Sequence, residues 1–222
     1  MVSQSQEHQA ADPAGLVQAL RSERVLAIVR GTDPEASLAS VLTLVASGVR
    51  TVEVSLSGAD ALSVLERATA EIGDQALLGA GTVRSGAELQ AALDAGARFV
   101  VAPSLSPAMT EAAQRKLSGV PGVLTPTEVD RAWAEGWRVL KLFPASLGGP
   151  PYLRALKDPY PDVDFVPVGG VTTELAVEYL RVGALAVGIG SPLLGDAPHG
   201  GDQTALAKRA KELLARLEEV DR

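Results

Sequence analysis

Cysteine is absent from the 222 residues, which excludes disulfides, thiolate nucleophiles and thiolate metal sites. Histidine occurs only as His8 and His199, so a metal site would lack its usual imidazole cluster, and no metal or other cofactor is expected. Positive charge is in deficit: 20 Lys and Arg against 27 Asp and Glu leave a formal net charge of −7. Binding nucleic acid without sequence preference requires basic side chains to neutralise phosphates, so no nucleic-acid partner is expected. No apolar run reaches the roughly 18–20 residues needed to span a bilayer, and no membrane association is expected. The opening "MVSQSQEHQAADPAG" lacks the basic and apolar regions of a secretory signal. The expectation is a cytoplasmic protein with a flexible polar leader over residues 1–11 and one folded domain over 12–222.

What is present is a rhythm. Hydrophobic residues make up 46% and aromatics only 4%, a mixture suited to closely packed helices and short strands. From residue 25 onward, a short apolar run is followed by a turn and then a helix-period segment. The runs fall at 25–30, 50–56, 76–82, 98–103, 120–124, 138–143, 163–168 and 185–189. Helical stretches include 35–46, 86–95 and 173–182. Asp33-Pro34 is a start signal, an N-cap residue followed by Pro at the first helical position. Gly48, Gly96, Gly136 and Gly183 each read as a left-handed helix stop before the next strand. Alternating strand and helix implies parallel pairing, with strands apolar on both faces. Eight such units in about 200 residues predict an α/β (β/α)8 TIM barrel. Residues 12–22 supply an extra N-terminal helix closing its bottom. A doubly wound open sheet is the alternative, but "VRGTDPEA" after the first strand is no dinucleotide fingerprint.

In such a barrel the chemistry sits at the C-terminal ends of the strands. Lys141 interrupts the apolar run "RVLKLF", and the other four lysines lie in polar, helix-like stretches. It either snorkels its ammonium to the rim or is a desolvated amine suited to forming a Schiff base. Glu53, inside "TVEVSL", is a second charge in an apolar strand. It either pairs with an arginine or shuttles protons for the lysine. Arg30 closes the first strand and is suited to carboxylate capture or to a salt bridge with Glu53. "PVGGVT" at 167–172 and "GIGS" at 188–191 follow the last two strands. Phosphate sites of these barrels form there, from backbone amides. Thr82 either bonds a reacting oxygen or caps the next helix.

Taken in order, "AIVRG", "VEVSL", "LLGAGTV", "PGVLTPTE", "LKLFPAS" with "GGPPYLRALKDPYP", "VPVGGV" and "GIGS" resemble the 2-keto-3-deoxy-6-phosphogluconate/galactonate aldolase family. That family is also grouped with 4-hydroxy-2-oxoglutarate aldolase. The resemblance covers roughly residues 15–217 and implies a metal-free class I aldolase, typically a homotrimer. Carried over, Lys141 is the Schiff-base lysine and Glu53 the general acid/base. Arg30 binds the pyruvate carboxylate, while Thr82, Pro103 and Phe143 shape the pyruvate pocket. Gly169, Gly170, Gly190 and Ser191 hold the phosphate.

The resemblance thus implies as partners a phosphorylated 2-keto-3-deoxy sugar acid and its product pyruvate, with glyceraldehyde 3-phosphate as the second product. Two other readings stay open at this point. One is a pyruvate aldolase for an unphosphorylated keto acid such as 4-hydroxy-2-oxoglutarate. The other is a barrel that binds a phosphorylated metabolite without turnover. The sequence departs from some family members at Ser57, where they carry arginine, and at Ser104, where many have glycine. Val168 stands where gluconate-type members usually have threonine, so the resemblance implies a role for it in reading the C4 hydroxyl.

Overall fold

The computed structural model describes residues 13–221, so the expected leader over residues 1–11 lies outside the described residues. The strands are β1 (Val25–Val29), β2 (Thr51–Ser55), β3 (Leu77–Gly81), β4 (Val100–Val101), β5 (Gly119–Val120), β6 (Gly122–Val123), β7 (Val139–Leu142), β8 (Asp164–Pro167) and β9 (Val187–Ile189). Helices α1 (Pro13–Glu23), α2 (Pro34–Ala46), α3 (Ala61–Ile72), α4 (Gly86–Asp94) and α5 (Pro107–Gln114) belong to the first half. They are followed by α6 (Pro126–Ala134), α7 (Gly149–Lys157), α8 (Thr173–Arg181), α9 (Ser191–Leu194) and α10 (Gln203–Glu218). Asp33 caps α2 as the sequence predicts, its side chain accepting from the Ala36 amide at 3.1 Å. Gly48, Gly96, Gly136 and Gly183 all take positive φ after their helices.

The strands pair in parallel as a curled sheet in two segments. One runs β5-β4-β3-β2-β1-β9, the other β6-β7-β8. The expected fifth strand is therefore two short pieces rather than one, and the cause is Pro121. Proline has no N–H to give to a ladder, so Gly119–Val120 pairs with β4 and Gly122–Val123 with β7. The Pro121 carbonyl still accepts from the Lys141 amide at 2.8 Å. At the other margin the segments meet at a parallel bridge between Val168 and Gly188. The Leu185 amide also donates to the Phe165 carbonyl there, at 2.9 Å. The expected strand 98–103 shortens to two residues in β4.

Period-two alternation sorts the strand residues into two apolar layers. Val25, Ala27 and Val29 join the large layer beneath the helices, as do Val52 and Val54, and Leu140 and Leu142. The intervening positions face inward: Leu26, Val139 and Val166 meet Phe99, Val101, Val120 and Leu185 in a second, inner cluster. That cluster is finished by Leu16 and Leu20 of α1, the place expected of the extra helix. Arg21 of α1 also pairs with Asp164 at the start of β8, at 2.9 Å. Among the described residues no helix is long and apolar enough to cross a membrane.

The alternation yields a stability test. Leu20 is fully buried, whereas the Arg21 side chain is 67% exposed. Leu20→Ala is expected to destabilise by about 2–5 kcal/mol and Arg21→Ala by less than about 1 kcal/mol, read from urea unfolding midpoints. Equal, small effects would show that α1 does not complete the inner cluster.

Candidate active site

On β2 the inward positions are Thr51, Glu53 and Ser55, every one of them polar and buried. Thr51 donates its hydroxyl to the Val25 carbonyl, and Ser55 shares a hydroxyl contact with Thr82 at 2.9 Å. Glu53 is different. It is 1% exposed, and its Oε2 has no hydrogen-bond partner. Among the described residues it shares that condition only with Trp137 Nε1. Burial pushes the Glu53 carboxyl above its ordinary value, and the nearby charge of Lys141 pulls the other way without reversing it. Gly81, on the adjacent strand β3 and opposite Ser55 in the ladder, leaves room for it. A methyl group at Gly81 would lie 2.5 Å from Glu53 Oε1, so the carboxyl would have to shift to accommodate it.

Lys141 shares the inward parity of Val139 on β7 and is 6% exposed. Its ammonium lies 4.9 Å from the centroid of the Phe143 ring, a cation–π contact. Arg30, just past the end of β1, is exposed. Among the described residues no ion pair joins it to Glu53. The salt bridge that the sequence left open is absent.

Thr82, the residue after β3, has φ of +62°. That region is a genuine outlier for a β-branched residue. Its hydroxyl begins a short chain: Thr82 to Ser55 at 2.9 Å, then Ser55 to Ser57 at 2.9 Å. On the opposite side, Gly169 and Gly170 take φ of +98° and +77° in succession after β8. Any side chain at Gly170 would be strained and would crowd Ser146 at 3.0 Å.

One open cavity of about 490 Å3 gathers all eleven residues singled out from the sequence: Lys141 and Glu53, then Arg30, Thr82, Pro103, Phe143, Val168, Gly169, Gly170, Gly190 and Ser191. Sequence reasoning missed two polar members of its wall, Ser55 and His199. Ser55 had a signal, since it lies two residues beyond Glu53 and shares its face. His199 had none, because a long-range turn delivers it. Chemically, the wall places an amine and a poorly solvated carboxyl group on one space, with hydroxyls and a glycine turn to either side. Such a set can attack a carbonyl and relay protons.

The sequence matches the KDPG and KHG aldolase family over residues 16–205. A 2-dehydro-3-deoxy-phosphogluconate aldolase of Pseudomonas aeruginosa is 34% identical over 204 residues, 90% of this chain and 91% of its own. A 2-dehydro-3-deoxy-6-phosphogalactonate aldolase of Escherichia coli K12 is 34% identical over 171 residues, 76% of this chain and 83% of its own. A solved KDPG aldolase from Legionella pneumophila, with pyruvate captured as a covalent carbinolamine, superposes with a TM-score of 0.83. It is 27% identical, and the match covers 91% of this chain and 98% of that one. With an inward amine and a buried carboxyl on a curled parallel sheet, and a family match across nearly all of the described residues, the chain belongs to the KDPG and KHG aldolase family.

Proposed function

We propose that this protein is a metal-independent class I aldolase that cleaves a 2-keto-3-deoxy-6-phospho sugar acid to pyruvate and glyceraldehyde 3-phosphate. The observation that carries the reading is the inward Lys141 amine on the same cavity as the buried Glu53 carboxyl, whose Oε2 has no hydrogen-bond partner. The amine of Lys141 attacks the C2 ketone, and loss of water from the carbinolamine gives an iminium. Glu53 takes the proton of the C4 hydroxyl as the C3–C4 bond breaks, and the bonding electrons flow into the iminium. The aldehyde leaves, Glu53 returns the proton to the enamine carbon, and water releases pyruvate from Lys141. A carboxyl whose pKa is raised by burial suits a group that must both accept and donate.

The ends of β1, β2 and β3 supply Arg30 and the hydroxyls of Ser55 and Thr82, which serve the pyruvyl carboxylate. Pro103 and Phe143 complete that pocket. Gly169, Gly170, Gly190 and Ser191 lie after β8 and β9 and serve the phosphate, and paired positive-φ glycines favour a phosphorylated substrate. The same reading takes the two sheet segments as one (β/α)8 ring within an aldolase domain over residues 12–222. Support comes from the Val168–Gly188 bridge at one margin and chain continuity through Pro121 at the other. A homotrimer and a cytoplasmic location belong to this reading through family membership.

Two outcomes test it. Val168 is buried against Gly188 beside the glycine turn, where it offers no donor to the C4 hydroxyl. The galactonate epimer is expected to be cleaved at least as well as the gluconate epimer, by kcat/KM. Val168→Thr should shift the ratio toward gluconate by roughly two- to tenfold, the value of about one hydrogen bond. A strong gluconate preference unmoved by the substitution would place C4 reading elsewhere.

The second outcome concerns pH. Folding raises the Glu53 pKa above its ordinary 4.5, so the folded protein holds a proton that the unfolded chain releases. Stability from this group therefore falls as pH climbs above about 4.5 toward the raised value. Glu53→Gln has no such loss. The Tm of the variant relative to wild type should rise as pH climbs above about 4.5, while turnover is lost. A difference that is flat with pH would mean that Glu53 is not held in a state favouring its proton.

A further inference from the structure

Among the charged or titratable side chains of the cavity wall, His199 is the one that the proposed reaction leaves without a task. It ends a short turn, Ala197–His199, between α9 and α10. That turn is firmly held. Ala197 and Pro198 are buried, and the Gln203 amide donates to the Ala197 carbonyl at 2.9 Å and to the Ala36 carbonyl at 3.3 Å. The Ser37 hydroxyl donates to the Pro198 carbonyl at 3.4 Å. A side chain at Gly31 would collide with that same carbonyl. The turn is thereby pinned to the segment that follows Arg30.

The ring itself is oriented by Thr32. The Thr32 amide donates to His199 Nδ1 at 3.3 Å, and the Thr32 hydroxyl lies 3.0 Å from the same nitrogen. A backbone N–H can only donate, so Nδ1 accepts, and the neutral imidazole carries its proton on Nε2. The cavity rim thus owns a fixed side-chain N–H donor. Its depth decides what it meets. Lys141 and Glu53 are almost fully buried, whereas His199 is exposed. A keto acid with C2 at Lys141 therefore runs outward, and its far end arrives at the rim. Among the described residues Glu53 is the only carboxylate in the wall and lies at the buried end, so an anion at the rim faces none of their negative side chains.

We propose that His199 is a specificity-determining residue that donates its Nε2–H to the phosphoryl group at the far end of the substrate. This rests on the aldolase reading above, and the test separates the two. In the condensation direction, pyruvate is offered with glyceraldehyde 3-phosphate or with unphosphorylated glyceraldehyde. His199→Leu is expected to lose about tenfold or more in kcat/KM for the phosphorylated aldehyde, mainly through KM, and less than about twofold for the other. His199→Gln, whose amide N–H2 reaches a similar point, should recover most of the loss. Exchange of the pyruvate methyl protons, which needs no aldehyde, should stay near the wild-type rate in both variants. Equal losses with both aldehydes, or no loss with either, would overturn the assignment of His199. So would a wild-type enzyme indifferent to the phosphate. Absence of methyl exchange in the wild type would instead overturn the aldolase reading, and the His199 proposal with it.

Discussion

A buried carboxyl oxygen that meets no donor from the protein is costly to hold in a folded chain, by about 1–3 kcal/mol even for a neutral group. Glu53 Oε2 is such an atom, and much of the surrounding structure is arranged to keep it there. The β2 register with β1 and β3 fixes its inward parity. Gly81 leaves the space that the carboxyl fills. Lys141 reaches the same cavity from β7 and offsets part of the burial through its charge. The proposed reaction gives the arrangement a use: a solvated, fully ionised carboxylate would give its proton back to an enamine poorly.

Around that pair the strand ends divide into two neighbourhoods. The first three strands end in Arg30 and a run of hydroxyls, Thr82–Ser55–Ser57, joined by contacts of 2.9 Å. The last two end in glycine-rich turns, where side chains give way to backbone. A substrate with a carboxylate at one end and a phosphate at the other matches that division. The left-handed Thr82 adds backbone strain on the hydroxyl side, and strain of this kind persists only where the neighbouring structure enforces it.

Much of this is legible in the sequence. Lys141 and Glu53 stand out because an ionisable residue in an apolar strand needs a reason, and both proved to be inward and buried. Helix starts and stops were legible because Asp-Pro and glycine act locally. The split at Pro121 was missed because apolar content carried 120–124 across it. The absent Arg30–Glu53 pair was not legible either, since sequence gives no distance between strand ends. His199 was hidden for a stronger reason. Its place depends on Gln203, Ser37 and Thr32 acting across more than 160 residues of chain in some contacts, and no local pattern encodes that.

The central claim is that Lys141 captures pyruvate covalently and Glu53 moves the protons. Reductive trapping tests it most directly: protein, pyruvate and borohydride, followed by mass analysis of the peptides. The account predicts one three-carbon adduct on the peptide containing Lys141 in the wild type. Glu53→Gln should form the same adduct more slowly while failing to exchange the pyruvate methyl protons. An adduct on another lysine, or an active enzyme that traps none, would contradict it.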